Sequence, residues 1–168
     1  MCEELFMAEK INIPDTISKE EQYRYLLPQI KNLIEGESDT IANMANVSAA
    51  IKSTFNFLWV GFYIVKREEL ILGPFQGSVA CTRIKYGKGV CGTAWKEKRI
   101  VVVPNVHHFE GHIACDSNSV SEIVLPLIMH DLVIGVLDID SEKENNFDET
   151  DMHYLQKIVE YITTSIEK

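Results

Sequence analysis

The change of hydrophobic period at Phe57 constrains this chain more than any other feature. Before it, Tyr23, Leu26, Leu27, Ile30, Leu33 and Ile34 recur at helical spacing behind the capping pair Ser18 and Glu21. After it, FLWVGFYIV alternates with a period of two and reads as a strand. Beyond the polar turn Lys66 to Glu69, LILGPFQG returns as its hairpin partner. Alternation sorts Leu58, Val60, Phe62 and Ile64 onto one face, which suits a core, and Trp59, Gly61 and Tyr63 onto the other. Two aromatics flanking a residue without a side chain make an aromatic-walled hollow, or a second layer of core if the sheet is covered on both faces.

The other segments fit around this hairpin. The first helix is expected to bend at Pro28. A second, capped by Ser38 or Asp39, carries Ile41, Met44, Ala45 and Ile51 and should end near Asn56. At the far end Asp148 with Asp151 caps a helix whose stripe runs through Met152, Leu155, Ile158, Val159, Ile162 and Ile166. EIVLPLIM, opened by Glu122, is a strand in which Pro126 marks an edge or a bulge. In LVIGVLDIDS, Asp138 and Asp140 share one face near the strand end. Each needs a cation, a donor or water there, although Asp140 alone reads as a strand end emerging into solvent. The segment Ile100 to Val103, stopped by Pro104, is a short strand.

Helices, a hairpin, a helical excursion, a second hairpin and a closing helix describe an α+β fold with a largely antiparallel sheet. At 168 residues the chain holds one domain, here 18–168, preceded by a loosely held N-terminal arm, 1–17. Gly87, Gly89 and Gly92 satisfy the dinucleotide pattern G-x-G-x-x-G, but no βαβ unit surrounds them. They read instead as a turn into a short helix near Val90, which sets Cys91 where helix-end amides favour a thiolate.

The net charge of −9 argues against a nucleic-acid partner, since phosphate binding needs clustered Lys and Arg. No apolar run has the length of a membrane span, and the acidic start MCEELFMAEK is unlike a secretory signal. A cytoplasmic location follows as the expectation, with no membrane partner. The four cysteines, at 2, 81, 91 and 115, are then thiols at rest, and their spacing matches no zinc pattern. Cys115 stands out in the polar, turn-rich loop GHIACDSNSVSE, next to Asp116 and three residues after His112. His107, His108, His112 and Cys115 form a set that zinc uses elsewhere, but no Cys-x-x-Cys or His-x-x-x-His accompanies it. Solvated histidines are the better reading, and no metal is expected.

The order of elements resembles a GAF domain. The resemblance sharpens at GPFQG (73–77), Cys81, GKGVCG (87–92), GHIACD (111–116), SEIVLP (121–126) and GVLDIDS (135–141). Together these look like the free methionine-(R)-sulfoxide reductase family, over roughly residues 20–165. The resemblance implies a sheet of about six strands, with the terminal helices on one face and the active site on the other. It implies that Cys115 attacks the sulfur of free methionine sulfoxide and becomes a sulfenic acid. Cys81, or alternatively Cys91, then resolves it to a disulfide that thioredoxin reduces. By the same resemblance Glu122, Asp138 and Asp140 bind the substrate and supply protons, and Trp59 and Tyr63 wall its methyl end. No cofactor is implied, and a homodimer is a permitted assembly. The alternatives are a GAF-type small-ligand sensor, which usually accompanies an output domain that this chain has no room for, and a metal- or peroxide-responsive redox protein using the same thiols.

Overall fold

Helix α1 (Lys19–Glu35) starts where Ser18 and Glu21 close a reciprocal capping box and includes Pro28 without a break. Its Tyr23, Leu26, Ile30 and Ile34 form the buried stripe that the sequence predicts. In α2 (Thr40–Phe55) the cap is Asp39, whose side chain accepts from the Ala42 amide, and the helix ends on Asn56 in the left-handed region. The computed structural model describes residues 10–113 and 116–166.

Two hairpins make most of the sheet. Strands β1 (Trp59–Lys66) and β2 (Glu69–Gln76) form one, extended by the short β3 (Arg83–Lys85). Strands β5 (Ser121–Met129) and β6 (Leu132–Ser141) form the other, extended by β4 (Val101–Val103). Pairing of β1 with β6 joins them in the order β3-β2-β1-β6-β5-β4, with every neighbour antiparallel. An antiparallel sheet has no βαβ crossover, so the glycine pattern at 87–92 serves another purpose. Gly87 and Gly89 adopt positive φ as the chain turns into α3 (Gly89–Glu97), and a Cβ on Gly92 would lie 2.5 Å from the Lys85 carbonyl oxygen. Only glycine lets α3 close so tightly on β3.

Pro126 breaks no ladder it needs. Strand β4 pairs only with Glu122 to Val124, so Pro126 lies past its end, and the register with β6 shifts immediately afterwards, between Leu127 and Ile128. Edge and bulge are both present within an otherwise interior strand.

The sheet carries a core on each face. On one, Val60, Phe62, Ile123, Leu125, Leu127, Leu137 and Ile139 pack against α1, α2 and the closing helix α4 (Glu149–Ile166). On the other, Trp59, Tyr63, Val124 and Val136 pack against Val90, Cys91 and Ala94 of α3. The described part of the N-terminal arm is tied to the first core: Ile11 and Ile13 pack on it, and Gln29 bonds both the amide and the carbonyl of Asn12. Residues 1–9 lie outside the described residues.

Helix α4 is fixed at its start by charge as well as packing. Asp148 Oδ1 accepts from the Thr150 and Asp151 amides, and the buried Asp151 carboxylate accepts from Tyr23 Oη at 2.8 Å, Lys19 Nζ at 2.6 Å and the Asp148 amide at 2.9 Å. This joins α1 to α4 across the helical layer. Truncating Asp151 strands the buried Tyr23 hydroxyl and takes from the Lys19 ammonium one of its two carboxylate partners, the other being Asp148, so Asp151→Ala should cost about 3 kcal/mol in urea unfolding. Lys19→Met with Asp151→Leu, which removes both charges together, should cost less than Asp151→Ala.

Candidate active site

Strand register brings the acids together. Glu122 lies opposite Asp140, and Val124 opposite Asp138, so all three carboxyls point to the face that α3 covers. Cys91, in the first turn of α3, comes down onto them. The four residues line a cavity of about 30 Å³ together with Ile84, Lys88, His112, Ile113, Asp116 and Ser119. That volume holds on the order of one water molecule.

Burial dominates the electrostatics. Glu122 and Asp138 are both pushed well above the usual carboxylate range by desolvation. The fields of Asp138 and then Asp140 add to it for Glu122, and that of Asp140 for Asp138, which hydrogen bonds from Cys91 and Glu122 oppose; the bond between the two carboxyls requires a proton on one of the pair. Asp138 also receives the Cys91 thiol, yet its Oδ1 has no hydrogen-bond partner among the described residues. Asp140 is raised to about 6, again by burial, against the opposing effect of the Ser119 hydroxyl that donates to its Oδ1. Among the described residues no lysine or arginine pairs with any of the three. His112 Nδ1 stands 3.9 Å from Glu122 Oε2, too far for a hydrogen bond. Burial, then His107, lowers the imidazole pKa while burial raises the glutamate's, so both shifts work against an ion pair.

The thiolate expected at Cys91 is not what the site provides. Its side chain is buried, and desolvation followed by the fields of Asp138 and Glu122 pushes the thiol well above its ordinary value. Amides at the start of α3 are outweighed by acids from β5 and β6. Cys91 is a free thiol, whereas Cys81 is disulfide-bonded. Cys115 lies outside the described residues.

The hollow expected between Trp59 and Tyr63 is occupied by the Trp59 indole. A Cβ on Gly61 would lie 2.4 Å from that ring and from Phe75 Cβ, and the indole stacks on Phe75 at a centroid distance of 5.3 Å. Neither Trp59 nor Tyr63 lines the cavity. Both instead hold the segment after β2, which carries Cys81. Trp59 Nε1 donates to the Ser78 carbonyl at 3.1 Å, and Tyr63 Oη donates to the Cys81 carbonyl at 3.0 Å. Ser78 Oγ in turn donates to Asp116 Oδ2 at 2.6 Å, tying this segment to the loop that contains Cys115 in sequence. His107 and His108, in a 3-10 turn (Val106–His108), are exposed; the group with metal-ligand spacing among the described residues is Cys91, Glu122 and Asp138.

Ser78, Lys88 and Ser119 were not singled out by the sequence. They sit in turns, where no period marks a residue as inward. The one available signal was the need of Asp138 and Asp140 for partners.

A carboxyl with a folded-state pKa above its unfolded value binds a proton more tightly when folded. It therefore takes stability away as pH rises from about 4 through about 6 for Asp140. Asp140→Asn keeps an oxygen for Ser119 and removes this cost. Urea unfolding should show the variant about 2 kcal/mol more stable than the parent at pH 8, with the gap largely closed at pH 4. A gap that widens toward acid would contradict the raised pKa.

Comparison with known proteins meets this geometry. The family model described as GAF domain matches residues 40–167. The chain is 58% identical over 157 residues to GAF domain-containing protein A of Dictyostelium discoideum, covering 93% of this chain and 99% of that one. It is 41% identical over 167 residues to the free methionine-R-sulfoxide reductase of Saccharomyces cerevisiae, covering 94% and 93%. The X-ray structure of free methionine-R-sulfoxide reductase from Neisseria meningitidis in complex with its substrate superimposes with a TM-score of 0.89, at 47% identity over 91% of this chain and 93% of that one. The chain belongs to the GAF-domain superfamily, in the branch of the free methionine-R-sulfoxide reductases.

Proposed function

We propose that this protein reduces free methionine (R)-S-oxide to methionine, with Cys115 as nucleophile and Cys81 as resolving thiol. The observation that carries the reading is the set of three inward carboxyls, two buried and that of Asp140 half-buried, with no basic partner among the described residues and with Asp138 Oδ1 unpaired. Such a group calls for a cation from outside, and the ammonium of a free amino acid supplies it. The named relatives and the substrate complex support the same substrate class.

The chemistry runs in two steps. The Cys115 thiolate attacks the sulfoxide sulfur while a protonated carboxyl, Glu122 or Asp138, gives its proton to the sulfoxide oxygen. The oxygen leaves on Cys115 as a sulfenic acid, and methionine departs with its sulfur reduced. The Cys81 thiol then displaces water from that sulfenic acid, and the disulfide so formed accepts two electrons and two protons from thioredoxin. Burial raises the pKa of Glu122 and Asp138, and the hydrogen bond between them needs one proton, so one of the pair suits the donor role while the other can face the ammonium. That Cys81 is disulfide-bonded while Cys91 is a free buried thiol supports Cys81 in the resolving role. Trp59 and Tyr63 act on this reading by holding the Ser78 to Cys81 segment beside the site, through hydrogen bonds to the Ser78 and Cys81 carbonyls.

Single-turnover chemistry separates the thiols. Cys115→Ser should release no methionine, whereas Cys81→Ser should release one equivalent and then stop under thioredoxin recycling. Mass mapping of the oxidised protein that finds a Cys91 to Cys115 bridge, with Cys81 unmodified, moves the resolving role to Cys91.

Selectivity tests the carboxylates. N-acetyl methionine sulfoxide has an amide in place of the ammonium, and a lost charge-assisted hydrogen bond of about 1.5 to 3 kcal/mol corresponds to a preference of roughly tenfold to a hundredfold for the free amino acid. Asp138→Asn should shrink that preference. Equal kcat/KM on the two substrates in the parent protein ends the free-substrate assignment.

A further inference from the structure

We propose that Cys91, Glu122 and Asp138 form a three-ligand site for a thiophilic divalent cation of the zinc type. Each offers one ligand atom, and the three atoms lie within 4.8 Å of one another. Bonds of about 2.3 Å to sulfur and about 2.0 Å to carboxylate oxygen at tetrahedral angles bring ligand atoms to about 3.5 Å apart, so the site closes by side-chain adjustment alone. All three residues are buried on regular elements: Cys91 on α3, Glu122 on β5 and Asp138 on β6. Their positions are therefore fixed before any ion arrives.

A second observation points to a ligand here independently of the clustering. Asp138 Oδ1 has no partner among the described residues although the side chain is about nine-tenths buried, and the same residue lines the cavity. An ammonium would satisfy that oxygen, but it gains little from the thiol beside it, because sulfur is a weak hydrogen-bond acceptor. One sulfur with two carboxylates is a better match to a borderline-soft dication, which takes N, O and S donors and leaves a fourth position open. Binding replaces the thiol proton and the proton shared by the carboxyls, so affinity should rise with pH. On the substrate reading proposed above, metal and amino acid compete for the same carboxylates, and zinc would act as an inhibitor that free methionine sulfoxide displaces.

The test measures binding without turnover, so it stands or falls separately from the reductase assignment. Full-length protein carrying Cys2→Ser, Cys81→Ser and Cys115→Ser keeps Cys91 as its single thiol; after reduction it is titrated with cadmium chloride. We expect a saturable ultraviolet thiolate-to-cadmium charge-transfer band at one equivalent per chain. Glu122→Gln and Asp138→Asn in that background should each weaken binding by more than the roughly tenfold that changes outside the first coordination shell cost. Cys91→Ser should abolish the band. In parallel, native mass spectrometry of the reduced parent chain should find one zinc per chain, lost on Cys91→Ser; this arm reports even if the triple variant does not fold. No band in a folded single-thiol chain, a band indifferent to both carboxylate changes, or zinc retained by Cys91→Ser overturns the site.

Discussion

Three acids on two adjacent strands, two buried and one half-buried, and none with a basic partner among the described residues, set the terms for the rest of this molecule. Their direction is fixed from the opposite side of the sheet. Ile123, Leu125, Leu137 and Ile139 must face α1, α2 and α4, and because side chains alternate, Glu122, Asp138 and Asp140 must then face away. A slip of one residue between β5 and β6 would put the acids into the helical core. The large apolar face thus acts as the register that aims the functional one.

The two faces carry different loads. The helical side is thick, and the Asp151 cluster joins α1 to α4 within it. The other side is covered by a nine-residue helix and by turns, and its core surrounds groups that cost stability at neutral pH. A protein built for stability alone would place apolar residues at these positions. Trp59 and Tyr63 offset part of that thinness by stacking within the layer while their polar tips hold the Ser78 to Cys81 segment. One hydrogen bond further, Ser78 to Asp116, links that segment to the loop on the other side of the cavity.

Features that depend on neighbours along the chain were legible in the sequence. Caps at Ser18 and Asp39, the end of α2 at Asn56, the hairpin about Lys66 to Glu69 and the shared face of Asp138 and Asp140 all follow from period and turn chemistry. What failed depended on neighbours across space. Helix-end amides argued for a thiolate at Cys91, but the decisive groups come from β5 and β6 and reverse the sign. Gly61 argued for a hollow, but the indole two residues earlier lies across it. Asp140 read alone as a solvated strand end, yet the loop bearing Ser119 covers it.

The same field explains why a reductase of this kind should not place its nucleophile at Cys91. Surroundings that raise a carboxyl's pKa raise that of a thiol within them too, and the thiolate, not the thiol, is the nucleophile. Donor and nucleophile must therefore come from different surroundings while reaching the same substrate atom pair. The loop with His112, Ile113 and Asp116 contributes to the cavity lining on both sides of Cys115 in sequence, and Asp116 is exposed enough for hydrogen bonds, led by Ser78, to hold its carboxyl below the usual range. Charge is tolerated at that rim and refused a few residues' distance inward. On the reading proposed above, this contrast between rim and interior is the division of labour that breaking a sulfur–oxygen bond requires: a nucleophile from one setting and a proton from the other.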